Sequence, residues 1–177
     1  YYYKESMNKS QPTFEHQREF YGTYWKNSGR LSIDEKCRKR FVLQAVNAYA
    51  KAHKKQPHIL DVGCGRGWMT NDLSRYGEVL GIDLSVGEAK KRYPNISFQE
   101  MNIVSEFPNK TYDVVVSSET IEHLPRKYQA EHIGRIASVL RQGGILVLTT
   151  PRKPYLEALI RKTSDTSHMQ PIENWLS

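Results

Sequence analysis

Glu119, Glu122 and His123 stand in the run SSETIEHL, directly after the apolar stretch YDVVVSS. The spacing i, i+3, i+4 would set the three on one helix face, where carboxylates and an imidazole can take up and return protons. His123 suits a general base, because an unperturbed imidazole titrates at about pH 6.5. A histidine there can equally be a structural hydrogen-bonding group. Upstream, Gly63-Cys64-Gly65-Arg66-Gly67 follows an apolar run ending in Asp61-Val62, and Asp83 closes the next run 20 residues after Gly63. Glycines at such a turn allow positive φ and let a ligand approach the backbone. An acidic residue ending the second strand can accept hydrogen bonds from both hydroxyls of a ribose. The ligand so described is a nucleoside. A dinucleotide loop would need a third glycine at position 68, which is Trp68, and no Gly-Lys-Ser/Thr ending follows, so neither a dinucleotide nor ATP is indicated.

These residues must be placed by the elements around them. HILDVG (58–63), EVLGIDL (78–84), ISFQEM (96–101), YDVVVSS (112–118) and GILVLTT (144–150) are short apolar runs with little alternation. That pattern predicts strands covered on both faces, hence a parallel sheet. Between the fourth and fifth runs, residues 125–141 set Ile133, Ile136, Ala137 and Leu140 at helical spacing, after Pro125 and before Gly143-Gly144. Strand and helix alternate in this way over most of the chain after Pro57. The expected fold is therefore an open, doubly wound α/β sheet of the Rossmann type, binding its ligand beyond the carboxyl ends of the strands.

With 177 residues and 38% hydrophobic content, the chain suits one main core. Residues 58–177 would form that core, and residues 1–57 a helical cap or lid. The net charge of +7 lies in the leading third: residues 1–58 carry 12 basic and 5 acidic side chains, residues 59–177 carry 14 of each. KCRKR (36–40) and KAHKK (51–55) flank the amphipathic run FVLQAVNAYA, so a solvated helix face is the simpler reading and a phosphate-binding footprint the other. No apolar run approaches the roughly 18 residues of a membrane-spanning helix, and no signal-peptide stretch leads the chain. A soluble, cytoplasmic protein without a membrane partner is expected. Cys37 and Cys64 are too few for a disulfide framework and read as reduced thiols. In FYGTYW (20–25), the aromatics Tyr21, Tyr24 and Trp25 either close over the ligand or pack a helix.

In order along the chain, ILDVGCGRG, GIDLS, YDVVVSSETIEHL and LRQGGILVLTTP resemble the successive motifs of the class I S-adenosylmethionine-dependent methyltransferases. The likeness covers about residues 58–151. It implies a sheet of order 3-2-1-4-5 and S-adenosylmethionine as cofactor, with S-adenosylhomocysteine as product. Carried over, it places Asp61, Gly63, Gly65 and Gly67 around the methionine half and Asp83 on the ribose. Leu84 would lie against the adenine, with Asn102 and Ile103 at its edge. Asn102 stands where many relatives carry Asp, and an amide can both donate and accept. Ser118 and Glu119 would face the methionine and the transferred methyl group, and Glu122 and His123 would carry the proton chemistry.

The implied reaction is methyl transfer to an oxygen or nitrogen of a small molecule or glycan, since no nucleic-acid module is evident. Two other readings stand beside it. Glu119, Glu122, His123 and His168 resemble in spacing the cation site of small-RNA ribose 2′-O-methyltransferases, and a non-catalytic cofactor-binding domain would show the same motifs. The family's sheet usually ends in two further strands, and only 27 residues follow Thr150. They read as a helix around 154–162, a polar stretch, and the start of another helix at IENWLS. The fifth strand would then present an open edge, to be covered by a second copy or by missing strands.

Overall fold

The computed structural model describes residues 13–27, 29 and 31–151. Two helices lead, α1 (Phe14–Asn27) and α2 (Ile33–His53). Then come β1 (His58–Val62), α3 (Trp68–Leu73), β2 (Glu78–Asp83), α4 (Gly87–Arg92), β3 (Ser97–Glu100), β4 (Tyr112–Ser118), α5 (Arg126–Val139) and β5 (Leu140–Thr149). All four strand pairings are parallel, in the order β3-β2-β1-β4-β5. This is the expected doubly wound sheet. His168 and the helices expected at 154–162 and at IENWLS lie outside the described residues, as do residues 1–12.

The central strands explain the absence of polar alternation. On β4, Val114 and Val116 join Ile59 of β1, Val42 and Val46 of α2 and Leu73 of α3 in one core. Val115, one residue out of phase, joins Leu60 and Val62 of β1 and Ile136 and Val139 of α5 on the other face. Both faces are buried, so the middle of each strand, Ile59 and Leu60 on β1 and Val114 to Val116 on β4, is continuously apolar, and polar residues stand towards the strand ends.

The fifth strand begins four residues earlier than the glycine pair suggested. Leu140 already pairs with Tyr112, the ladder resumes at Val114 and Ile145, and Gly143 (φ 77°) sits in the irregular stretch between. At the amino ends of the strands, Asp113 receives Lys55 Nζ (2.7 Å), the His58 amide (2.8 Å) and Arg141 Nη1 (2.9 Å). This carboxylate joins the segment after α2 to β1, β4 and β5 at the edge remote from the site. Among the described residues, no helix is long and apolar enough to cross a membrane.

α2 opens with a capping box. Ser32 Oγ accepts the Glu35 amide (3.1 Å), while Glu35 Oε2 accepts the Ser32 amide (2.7 Å). The other oxygen of Glu35 meets Arg66 of the glycine loop at 2.8 Å, where the Arg66 side chain is 6% exposed. The helix start is thereby fastened to the loop. The basic run KCRKR is only partly a solvated face: Lys36 and Arg40 are exposed, but Lys39 pairs with Asp72 and Arg38 with Glu119. Its cations differ because two of them meet carboxylates that the fold brings across from α3 and the end of β4.

Candidate active site

A cavity of about 520 Å³ opens at the carboxyl ends of β1, β2 and β4, roofed by α1 and the start of α2. That volume falls in the range of small-molecule sites, about 300–1,000 Å³. Asp61, Gly63, Gly65, Asp83, Leu84, Asn102, Ile103, Ser118, Glu119, Glu122 and His123 all line it. Gly67 does not line it. A Cβ there would press on Phe98 Cζ (2.7 Å) and Ala89 Cβ (2.9 Å), so this glycine serves the contact of the loop with β3 and α4.

Asp61 is buried on β1 and accepts Thr70 Oγ1 of α3 at 2.6 Å. Burial pushes its carboxyl up to about pKa 7; the Thr70 hydrogen bond opposes this and the neighbouring Asp83 adds to it. Asp83 accepts the Gly65 amide at Oδ2 (2.9 Å) and the Ser85 amide at Oδ1 (3.1 Å). Burial raises it to about 6 against those hydrogen bonds. Each oxygen keeps a further acceptor site, as a ribose diol requires. Burial also pushes up the Cys64 thiol, with Asp83 and Asp61 contributing. Cys64 and the exposed Cys37 are both free.

Gly63 has φ 75°, and a Cβ there would run into Thr120. Thr120 Oγ1 in turn donates to the Val62 carbonyl (3.1 Å), tying the end of β1 to the segment after β4. On the far side, Asn102 Oδ1 accepts the Val104 amide (3.1 Å). Asn102 thus turns the chain after β3, and its amide NH₂ remains the group with which it can donate to a ligand.

After β4 the structure corrects the one-face arrangement of Glu119, Glu122 and His123. The Glu119 amide still donates to the Thr149 carbonyl (2.9 Å), continuing the ladder with β5, and then φ turns to 54°. Only residues 121–123 wind, as a single 3₁₀ turn before Pro125. Glu119 faces Arg38 Nη1 at 3.0 Å. Burial pushes its carboxyl up, opposed chiefly by the Arg38 charge. Glu122 is 1% exposed, with Thr150 Oγ1 at 3.3 Å and His123 Nε2 at 3.8 Å. Among the described residues no group of three or more His, Cys, Asp or Glu is placed to hold a metal ion. The fourth member of the cation reading, His168, lies outside them.

Several cavity residues carried no sequence signal of their role: Arg38, Glu35 and Arg66, whose partners are distant in sequence, and Gln17, which is 5% exposed on α1. Tyr21, Tyr24 and Trp25 of α1 also border the cavity. They pack against one another on α1 and line the cavity at once.

A family model described as a methyltransferase domain matches residues 35–176. The chain belongs to the class I S-adenosylmethionine-dependent methyltransferase family. Among curated relatives, a protein named as a methyltransferase, 235L of Invertebrate iridescent virus 6, is 33% identical over 122 residues, 66% of this chain and 41% of that protein. A ubiquinone biosynthesis O-methyltransferase of Bradyrhizobium is 31% identical over 100 residues, 52% of this chain and 39% of that protein. This methyltransferase-family chain therefore spans about two fifths of the length of these relatives. Among solved structures, magnesium protoporphyrin IX methyltransferase of Synechocystis, with bound S-adenosylhomocysteine, superposes with TM-score 0.62 at 20% identity, covering 89% of this chain and 83% of that one. That likeness shows the fold.

Proposed function

We propose that the chain transfers the methyl group of S-adenosylmethionine to an oxygen or nitrogen of a small molecule or glycan. The observation that carries the reading is the meeting of Asp83, Glu119, Glu122 and His123 on one cavity at the carboxyl ends of β1, β2 and β4. In this reading Asp83 takes both ribose hydroxyls, Leu84, Asn102 and Ile103 border the adenine, and Ser118 and Glu119 face the methionine. O- and N-methyltransferases among the relatives and structural neighbours support a small acceptor.

Methyl transfer from a sulfonium is an in-line displacement. The acceptor lone pair forms the new bond to carbon, the carbon–sulfur bond breaks onto sulfur, and S-adenosylhomocysteine leaves neutral at sulfur. The protein must hold the nucleophile about 3 Å from the methyl and take the acceptor's proton where there is one. His123 is the base in this reading, and the buried Glu122 beside it stabilises the imidazolium that forms. α1 acts as the lid. Opening it for product release would expose the buried Gln17 and Tyr21 and part Trp25 from the glycine loop, whereas the solvent-exposed Arg18–Glu100 ion pair adds only about 0–1 kcal/mol to closure.

The RNA reading has less to draw on, because Arg38 and Lys39 of the basic run are already paired with carboxylates. The deciding experiment incubates the protein with methyl-labelled cofactor and pooled hydroxyl, amine and glycan acceptors, with mass spectrometry of the products. Label in a small hydroxyl or amine product is expected. Label only in added RNA would overturn the acceptor class.

A further inference from the structure

The turn that carries Glu122 and His123 is short of backbone donors. In a continuing helix the Ile121 carbonyl would accept from the amide of residue 125, but that residue is Pro125, which has no N–H. The Ile121 carbonyl accepts the Leu124 amide instead, at 3.1 Å, through the tighter 3₁₀ bond. Leu124 is then extended, at φ −91° and ψ 142°, and the Tyr128 amide goes to the Pro125 carbonyl (2.8 Å) rather than to that of Leu124. A hydrogen bond across this break has to come from a side chain.

Gln129, on the first turn of α5, supplies it. Its Nε2 lies 3.1 Å from the Ile121 carbonyl and 3.5 Å from the Leu124 carbonyl, so the two hydrogens of one amide bridge the carbonyls that bracket Glu122 and His123. The longer contact is the weaker. Burial of Ile121 and Leu124 holds the turn onto the core, Leu124 packing in one cluster with Ile136 of α5. Apolar packing is non-directional, whereas hydrogen bonds fix an orientation. At the other end, Thr120 Oγ1 is bound to the Val62 carbonyl (3.1 Å). The turn is therefore pinned to β1 where it begins and to α5 where it ends. His123 lies between the two pins, its side chain 14% exposed and lining the cavity. The helix that bears Gln129 is itself anchored by the buried His132, Ile136 and Val139.

We propose that Gln129 is a positioning residue for methyl transfer, setting the direction in which His123 meets the acceptor. The proposal rests on the reading of His123 as the base. Gln129 does not line the cavity, so its effect passes through the turn it holds. A base must stand within hydrogen-bond reach of the proton it takes, and a misplacement of about 1 Å costs up to about 100-fold in rate.

Gln129→Met keeps the volume and the helical preference of the side chain and removes both donors. Gln129→Ala is a second variant, and melting temperatures show that each folds. With the acceptor labelled in the screen above, kcat of each variant should fall roughly 10- to 100-fold, while the acceptor KM and the Kd for S-adenosylhomocysteine stay within about twofold of the wild type. In a His123→Ala background the same substitutions should cost nothing further, because their effect is exerted on the imidazole. Amide hydrogen exchange gives a readout without turnover: His123 and Leu124 should exchange roughly tenfold faster in Gln129→Met, and Ile136 in mid-α5 at the wild-type rate. Wild-type kcat in both variants, an equal loss with and without His123, or unchanged exchange at His123 overturns the proposal. A wild type that transfers no label, or a His123→Ala variant that keeps the wild-type kcat, overturns the reading beneath, and the proposal falls with it.

Discussion

The indole of Trp25 occupies the space that a side chain at Gly65 would need: a Cβ there would lie 2.8 Å from Cζ2. Gly65 also has φ 52°, a conformation that costs an ordinary L-residue about 1–2 kcal/mol. Helix α1 and the glycine loop are therefore fitted to each other, and position 65 answers to both.

Gly65→Val should consequently abolish S-adenosylhomocysteine binding and lower the melting temperature, since the branched side chain meets Trp25 and resists positive φ together. In Trp25→Ala, which vacates the indole's space, the added cost of Gly65→Ala should fall to the backbone part alone. A double-mutant cycle on unfolding free energies measures the coupling.

Asp83→Ala should weaken both S-adenosylmethionine and S-adenosylhomocysteine by about 1.5–3 kcal/mol through loss of charge-assisted hydrogen bonds to the ribose. The carboxyl titrates at about 6 in the free protein. Above that pH it is ionised and accepts from both hydroxyls; below it, protonation removes an acceptor. Affinity should be level at alkaline pH and fall up to about tenfold per pH unit below 6, whereas Asp83→Asn should be weak and flat across the range. Calorimetry between pH 5 and 8 gives both curves.

His123→Ala should lower kcat by roughly 10²–10⁴ while the Kd for S-adenosylhomocysteine changes little. Glu122→Gln keeps the shape of a side chain that is 1% exposed and removes its charge, so it should lower kcat without unfolding the protein. An unchanged kcat for His123→Ala would leave positioning alone to explain the chemistry. Retention of full activity in EDTA would remove the cation reading, which includes His168.

Asp113 makes a separate, purely structural prediction. Burial raises its carboxyl, but Lys55, the His58 amide and Arg141 outweigh that and hold it down at about 2. A depressed carboxyl stabilises the fold above its unfolded pKa of about 4, and that contribution is lost as pH falls through 2. Urea unfolding should show the wild type losing about 1–2 kcal/mol between pH 4 and 2 beyond what Asp113→Asn loses over the same range.

The alternation of apolar runs with helical patterns was enough to determine a parallel sheet, because a strand covered on both faces leaves no polar position to mask the pattern. The order of the strands came with the family resemblance. Gly63, Gly65 and Asp83 were legible for a related reason: strand ends followed at once by glycine or acid are local features, whereas Asp61 came with the family resemblance; the parallel register aligns Asp61 with Gly81 and so brings those ends to one edge. What surrounds them depended on the tertiary structure. Helical counting after β4 failed because Glu119 remains on the β5 ladder and then takes positive φ, so the i, i+3, i+4 rule had no helix to act on. Gly67 read as part of the ligand loop, yet Phe98 and Ala89, brought in by β3 and α4, decide its need for a bare Cα. Arg38 looked like any other cation in KCRKR. Whether such a side chain is solvated or set into a site depends on which carboxylate lies opposite, and only packing α2 across the end of β4 puts Glu119 there.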